Sequence, residues 1–244
     1  MERGFYKDYF VLEKKHWFFK ARKNILAHFI KQYSRPNSRI FDFGCGSGYL
    51  VGELQKGGYD SYGMDFEKTA VDYGLSSGIK NLTVGTGEKT EYSNESFDMV
   101  ISFDVLEHIE KDSAAVGELV RILKTNGKIL ITVPAFMWLW GVQDEVSHHF
   151  RRYTIKSLTE VFKSFPEIQI VRKTYFNTFL FPVIAAVRLI SRWLNIKNRE
   201  SDFELNNDLI NNLLYYIFNL ESYFLRFTNF PFGVSILFVL EKKR

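Results

Sequence analysis

Arg39-Ile40-Phe41-Asp42-Phe43-Gly44-Cys45-Gly46-Ser47-Gly48 is the stretch that decides the fold. An apolar run stops at an acidic residue, and three glycines follow at alternate positions. The pattern predicts a buried strand ending in a tight turn that opens a helix. Glycine tolerates a left-handed backbone and has no Cβ, so a ligand can come close to the main chain there. The N–H groups of such a turn, backed by a helix N-terminus, favour a negatively charged group. The spacing is G-x-G-x-G, with Tyr49 next, and departs from the G-x-G-x-x-G dinucleotide fingerprint. The Gly-Lys-Ser/Thr ending of a P-loop is also missing, which disfavours a nucleoside triphosphate. A glycine-rich corner without a ligand is the plain alternative.

Outward from this turn, strands and helices alternate. Residues 14–33 predict a helix in which Trp17, Phe18, Ala21, Ile25, Leu26, Phe29 and Ile30 share a face. Strands are expected over 38–43, 59–65, 82–86, 97–102 and 128–133, with helices over 47–56, 67–73 and 113–124. Phe97–Ser102 is nearly all apolar, as in a strand buried on both faces. Asn126-Gly127 reads as the stop of the preceding helix. This rhythm implies a parallel sheet with helices on both faces. After Pro134 it changes. A loop carries Trp138, Trp140, Asp144, His148, His149, Arg151 and Arg152; a helix over 154–164 and a strand over 168–174 follow. Aromatic-rich helices then span 177–197 and 205–227, before an apolar strand at Val234–Leu240. In the second of these helices Leu205, Leu209, Leu213, Ile217 and Phe224 share a face, opposite Asn211, Asn212, Asn219 and Ser222.

Composition narrows the function. A chain of 244 residues suits one domain with an insertion. A net charge of +4 without a long basic run excludes charge-driven nucleic-acid binding. The single cysteine, Cys45, cannot form an intramolecular disulfide and fits a reducing compartment, so a cytoplasmic protein is expected. The N-terminus lacks the apolar core of a secretory signal. The longest apolar run, around Phe179–Val187, contains Pro182 and falls short of the ~20 residues of a membrane span. Contact with a membrane surface stays open.

Four features recur at successive strand ends: Asp42–Gly48, then Gly63-Met64-Asp65-Phe66, then Gly85-Thr86-Gly87-Glu88, then Ser102-Phe103-Asp104-Val105-Leu106-Glu107-His108. In an open α/β sheet, ligands bind beyond the carboxyl ends of the strands, so the four converge on one crevice. Over residues 38–135 this order resembles the class I S-adenosylmethionine (SAM)-dependent methyltransferases, particularly their small-molecule branch. The resemblance implies a Rossmann-like α/β fold with a seven-stranded, mostly parallel sheet whose last strand is antiparallel. It implies SAM as cofactor and S-adenosylhomocysteine as product.

By the same resemblance Gly44, Cys45, Gly46 and Gly48 pass close to the methionine and ribose, and Asp42 supports the turn. Asp65 accepts hydrogen bonds from the ribose hydroxyls, and Phe66 packs on the adenine. Thr86, Gly87 and Glu88 face the adenine amino group, where the family often has an Asp. Phe103, Asp104 and Val105 line the methionine end. Taken singly, Asp65 is equally an acid capping the next helix, and Glu107 and His108 are a solvated helical turn.

Methyl transfer from a sulfonium is an in-line displacement that needs alignment, and needs a base only where the nucleophile must lose a proton. The Asn/Asp-Pro-Pro-Tyr/Phe motif of amino-group methyltransferases is absent, so a hydroxyl, carboxylate or carbon acceptor is expected. No metal-ligand spacing is present, and no metal is expected. The segment after the fifth strand usually faces the acceptor in this fold. His148 and His149 are base candidates there, with His108 third. Arg151 and Arg152 suit a carboxylate or phosphate, and Trp140 and Tyr153 complete the acceptor-contact set. Arginines paired with local acids are the alternative.

His16-Trp17-Phe18-Phe19-Lys20-Ala21-Arg22 and His149-Phe150-Arg151-Arg152-Tyr153-Thr154 resemble segments of bacterial methyltransferases from cell-surface and natural-product clusters. There the N-terminal helix acts as a lid, which makes Trp17 and Arg22 cofactor-contact candidates; an amphipathic helix packed on the sheet is the alternative. The expected organisation is a lid segment at 1–37, a SAM-binding core at 38–175, a helical insertion at 176–229 and a final strand at 230–244. The insertion separates two strands that normally form a hairpin. Its aromatic faces suit an apolar or lipid-linked acceptor, a homodimer, or a membrane surface, the last with Arg188, Arg192, Lys197 and Arg199 beside Trp193. Two competing classes are a non-catalytic SAM-binding regulator and a nicotinamide-dependent oxidoreductase, the latter disfavoured by Tyr49.

Overall fold

A computed structural model describes residues 12–87, 89–194 and 207–244. Glu88, Lys197, Arg199 and Leu205 lie outside the described residues. The elements in chain order are α1 (Trp17–Tyr33), β1 (Arg39–Phe43), α2 (Tyr49–Lys56), β2 (Asp60–Asp65), α3 (Lys68–Ser76), β3 (Leu82–Val84) and β4 (Phe97–Phe103). They continue with α4 (Asp112–Ile122), β5 (Leu123–Pro134), α5 (Val142–Val146), α6 (Ile155–Phe162), β6 (Ile168–Phe176), α7 (Phe181–Trp193), α8 (Asp208–Phe224) and β7 (Ser235–Lys242).

The seven strands form one sheet in the order β3-β2-β1-β4-β5-β7-β6. Six run parallel and β7 runs antiparallel, which makes this the Rossmann-like methyltransferase fold. β1 lies between β2 and β4, the point where the strand order reverses and an open α/β sheet binds its ligand. Its burial explains the apolar sequence: Ile40, Phe41 and Phe43 are all but inaccessible, as are Met99, Val100 and Ile101 of β4 beside them.

By internal contacts the chain divides into two units. One comprises residues 33–133, 155–173 and 237–244 and holds most of the sheet. The other comprises residues 1–32, 134–154 and 174–236.

One boundary differs from the sequence reading. Asn126-Gly127 is not a helix stop. α4 ends at Ile122, where Leu123 turns extended, and β5 begins at once. The register jumps from Phe97↔Leu123 to Met99↔Lys128, so the intervening β5 residues bulge out. Asn126 takes φ 65° inside that bulge, a conformation asparagine tolerates better than most residues.

Candidate functional site

The glycine turn is built by main-chain hydrogen bonds. Met64 O at the end of β2 accepts from the N–H of Gly44 at 2.8 Å and of Cys45 at 3.0 Å. Gly48 N–H then donates to Cys45 O at 2.8 Å, and α2 starts. Gly44, Gly46 and Gly48 all have positive φ. Their surroundings differ. A Cβ at Gly44 would run into the Val105 side chain, and one at Gly48 would lie 2.6 Å from Leu82. A Cβ at Gly46 would meet nothing within 4 Å. Gly44 and Gly48 are glycine because the protein fills the space beside them, whereas Gly46 faces open space that a ligand can occupy.

Asp65, at the end of β2, addresses that open residue. Its Oδ2 accepts from Gly46 N–H at 2.7 Å, and its Oδ1 accepts from Glu67 N–H at 2.9 Å. Burial pushes the Asp65 carboxyl above the usual carboxylate range, and the N–H donors only partly oppose this. The capping job itself falls to the next acid, since Glu67 accepts from Thr69 N–H at 3.1 Å as the N-cap of α3. Phe66 is 66% exposed, an unusual state for a large aromatic and a fitting one for a ring that covers a flat heterocycle.

Asp42 is buried in β1, and Thr86 is exposed beyond β3. Gly87 packs against Phe43, leaving no room for a side chain. At the end of β4, Asp104 adopts φ 58°, donates its N–H to Thr132 O at 2.9 Å and accepts from the Thr132 hydroxyl at 3.1 Å. Phe103 and Val105 flank it, both half-buried. A non-glycine residue in this conformation at a strand end marks a backbone held for a purpose. The side chain of Cys45 departs from the expected role, because it packs with Val51, Val71, Leu82 and Ile79 and leaves only its main chain toward the turn.

These residues fit SAM. The open space beside the Gly46 main chain suits close approach of the cofactor, a carboxylate acceptor suits two ribose hydroxyls, and an exposed ring suits adenine.

In the other unit, the segment after β5 is organised around Asp144. This residue lies in α5 and is completely buried. Its Oδ1 meets His149 Nδ1 at 2.8 Å and Arg152 Nε at 2.7 Å. Its Oδ2 accepts from Arg152 Nη2 at 2.9 Å and from Gly141 N–H at 2.8 Å. Burial alone would raise this carboxyl. The hydrogen bonds from His149 and Arg152 and the guanidinium charge override it and hold the carboxyl at about 2. An ionised Asp144 favours the proton of His149 on Nδ1.

The expected acceptor contacts are redistributed by this network. Arg152 uses Nε and Nη2 on Asp144 and Nη1 on Ala135 O at 3.1 Å, so its guanidinium is spent inside the protein rather than offered to a substrate. Tyr153 is buried and pairs with Ala135 as an isolated bridge, which makes it a packing residue. Trp140 stands edge-on to His149 with ring centroids 6.5 Å apart. Arg151 lies over the Phe150 ring. His148 is exposed, with φ 55°; it supplies the bend that lets His149 turn back to Asp144. Trp17 donates its N–H to Asn211 Oδ1 at 2.9 Å and packs edge-on against Phe218, and Arg22 is half-buried on the same helix. His108 closes a short 3-10 turn after β4.

Sequence reading named His149 but missed Asp144 as its organiser. The residues are five apart, a spacing that belongs to no regular element. Only the Gly141–Asp144 step, an acid three residues into a short helix, carried a local signal.

Residues 41–131 match the model of a methyltransferase domain. The chain is 24% identical over 177 residues to a ubiquinone biosynthesis O-methyltransferase of Bartonella tribocorum, covering 70% of this chain and 71% of that one. It is 25% identical over 179 residues to the protein of the same name from Bartonella bacilliformis, with the same coverage. Among solved structures it resembles a chain from the complex between the Haloferax volcanii Trm112 methyltransferase activator and a methyltransferase. That pair has TM-score 0.63 and 16% identity, covering 99% of this chain and 95% of the other. A TehB-like SAM-dependent methyltransferase from Corynebacterium glutamicum gives TM-score 0.55 and 17% identity, covering 89% and 86%. At such identities the structural matches speak for the fold. The matched domain, the relatives and the fold together support a class I SAM-dependent methyltransferase. The chain is a methyltransferase that uses SAM as its methyl donor.

Proposed function

We propose that this enzyme methylates a hydroxyl group on a small apolar acceptor, with His149 as general base. The observation that carries this reading is the Asp144–His149 pair at 2.8 Å, which sets the histidine tautomer a base needs. The names of the Bartonella relatives, which are O-methyltransferases, agree with an oxygen acceptor.

The main chain of Gly44–Gly48 and the ends of β2 and β4 hold the cofactor: Asp65 takes the ribose hydroxyls, Phe66 covers the adenine, and Phe103, Asp104 and Val105 border the methionine. Thr86 and Gly87 lie toward the adenine edge. When bound, SAM supplies a methyl group on a positively charged sulfur that leaves as a neutral thioether. His149 would accept the hydroxyl proton and release it to solvent, which balances the charge of the methyl transfer. Asp144 keeps Nδ1–H in place and stabilises the imidazolium, and Arg152 keeps Asp144 ionised. Trp140 and Arg151 contact the acceptor.

Turnover of labelled SAM against hydroxylated aromatics, with and without a prenyl tail, tests this. His149→Ala is expected to lower kcat about 10²–10⁴-fold, with the affinity for SAM unchanged by calorimetry and partial rescue at alkaline pH, where the hydroxyl ionises by itself. Full activity in His149→Ala would remove the base. Tight NAD binding without SAM binding would remove the cofactor assignment.

A further inference from the structure

α8 is amphipathic in the opposite sense to a normal surface helix. Asn211, Tyr215 and Asn219 meet α1 and Lys15 just before it, beside the buried Phe218. Asn211 accepts from Trp17 N–H and donates to Lys15 O at 3.1 Å. The Asn24 amide donates to Tyr215 Oη at 3.1 Å and to Asn219 Oδ1 at 2.8 Å. The Lys20 ammonium sits 4.7 Å from the centroid of the Tyr215 ring. The apolar residues turn outward. Leu209, Leu213, Tyr216, Leu220, Tyr223 and Phe227 recur at alternating steps of four and three, and each is exposed, from 53% at Leu220 to 82% at Leu209. At a helical rise of 1.5 Å per residue the stripe runs for about 27 Å. A stripe of this length on a free surface exceeds the scattered apolar exposure of ordinary proteins.

α7 presents the same character. Ala185 is its one buried residue, and Val183, Ile190, Leu194 and the 84%-exposed Trp193 lie outward along it and just past its end. α7 and the residues leading into it from 177 carry Arg188 and Arg192 and no carboxylate. Arg188 is half-buried against Gly141, while Arg192 is exposed and donates from Nη2 to Trp138 O at 3.0 Å. Arg226 adds a second exposed cation in the turn after α8.

We propose that the outward faces of α7 and α8 seat on the surface of an anionic lipid bilayer. A partner helix is the rival occupant, because steps of four and three also make a coiled-coil seam. Such a seam is specified by charges flanking it. Here the flanking positions are Ile210, Ile217 and Phe224 on one side and Asn212, Asn219 and Arg226 on the other, so a single charge flanks the stripe and fixes no register. Exposed Trp193, Tyr216 and Tyr223 suit the headgroup level, where an aromatic body meets apolar chains and its polar tip meets water. Arg192 and Arg226, with no carboxylate along α7, suit a negative surface. No helix among the described residues is long and apolar enough to cross a membrane, so the contact is one of lying on it.

Flotation of the full chain with vesicles tests the proposal independently of any methyl acceptor. The protein is expected to rise with equimolar phosphatidylcholine and phosphatidylglycerol, to rise far less with phosphatidylcholine alone, and to be released by salt. Leu213→Ser combined with Leu220→Ser should cut the bound fraction about tenfold while SAM binding by calorimetry stays intact. Trp193→Ser, at a site that supports no packing, gives a second reading if the double variant folds poorly. Absence of co-flotation at low salt overturns the proposal. So does a stable wild-type dimer that the leucine substitutions dissociate, since a second copy then covers the stripe.

Discussion

The turn after β1 and the segment after β5 each bring a carboxylate onto backbone N–H groups, and the two carboxylates respond in opposite directions. Asp65 receives N–H donors from Gly46 and Glu67 and no cation, and burial leaves its carboxyl raised. Asp144 is more deeply buried, yet its carboxyl falls to about 2, because Arg152 and His149 press against it. Main-chain dipoles offset part of a desolvation penalty, and a guanidinium at hydrogen-bond distance reverses it. The functional consequence differs accordingly. A carboxylate held by main-chain N–H groups alone, with no cation on it, keeps acceptor capacity for ligand hydroxyls. One saturated by the protein serves to orient the protein's own groups.

The strongest challenge to this contrast is Asp144→Ala. It strands the Arg152 guanidinium, which is 7% exposed, without its counter-charge. A loss of ~3–5 kcal/mol is expected in urea unfolding, together with loss of the His149 tautomer. A loss under 1 kcal/mol would mean that the network is ornamental.

Glu221 supplies a third case that sharpens the rule. It is fully buried in α8, accepts from Phe179 N–H at 2.7 Å and has no cation in its hydrogen-bond set. Burial raises its carboxyl from 4.5 to about 7, against the pull of the Phe179, Thr178 and Asn177 N–H groups. A raised acid binds its proton more tightly in the folded chain. Stability is therefore greatest below pH 4.5 as far as this group is concerned, and declines as pH climbs toward 7 and beyond, by ~3 kcal/mol in all. Asp144 has the opposite sign: its contribution is complete above pH 3.8 and fades as pH falls toward 2. Between pH 5 and 8 Asp144 contributes no slope, whereas Glu221 should. Glu221→Gln is expected to flatten the fall in urea midpoint over that range; an unchanged slope would assign it elsewhere.

The glycines separate packing from ligand approach. Gly44→Ala should cost ~2–4 kcal/mol, from left-handed strain together with overlap on Val105. Gly46→Ala should cost only ~1–2 kcal/mol of strain, and should instead weaken SAM, since its Cβ enters the open space. Equal stability losses would show that Gly46 is glycine for folding. The smallest effect is expected at Asp65→Asn, about a tenfold weaker SAM affinity, or ~1.4 kcal/mol, with the fold intact; calorimetry reads it directly.

The cofactor side was legible because its information is local. An apolar run, an acid and alternate glycines dictate strand, turn and helix within ten residues, and the same grammar recurs at β2 and β4. The β5 bulge was illegible, because Asn-Gly is an equally good helix stop and strand bulge until β4 lies beside it. The Asp144–His149–Arg152 network was illegible because its contacts depend on the left-handed bend at His148. The outward stripe of α8 was visible as a face, but not which way that face points.

Sequence by itself determined the alternation of strands and helices, the glycine turn with its acid partner, and hence the methyl donor, because backbone conformation and side-chain period follow from neighbours a few residues away. Tertiary structure alone decided that Arg152 serves Asp144 rather than a substrate, that Cys45 serves the core, and that α8 turns Asn211 and Asn219 to the N-terminal helix and shows Leu209, Leu213 and Leu220. Those outcomes depend on which distant groups compete for one partner, and α1 offered Asn24 and the main chain at Trp17 to the asparagine face.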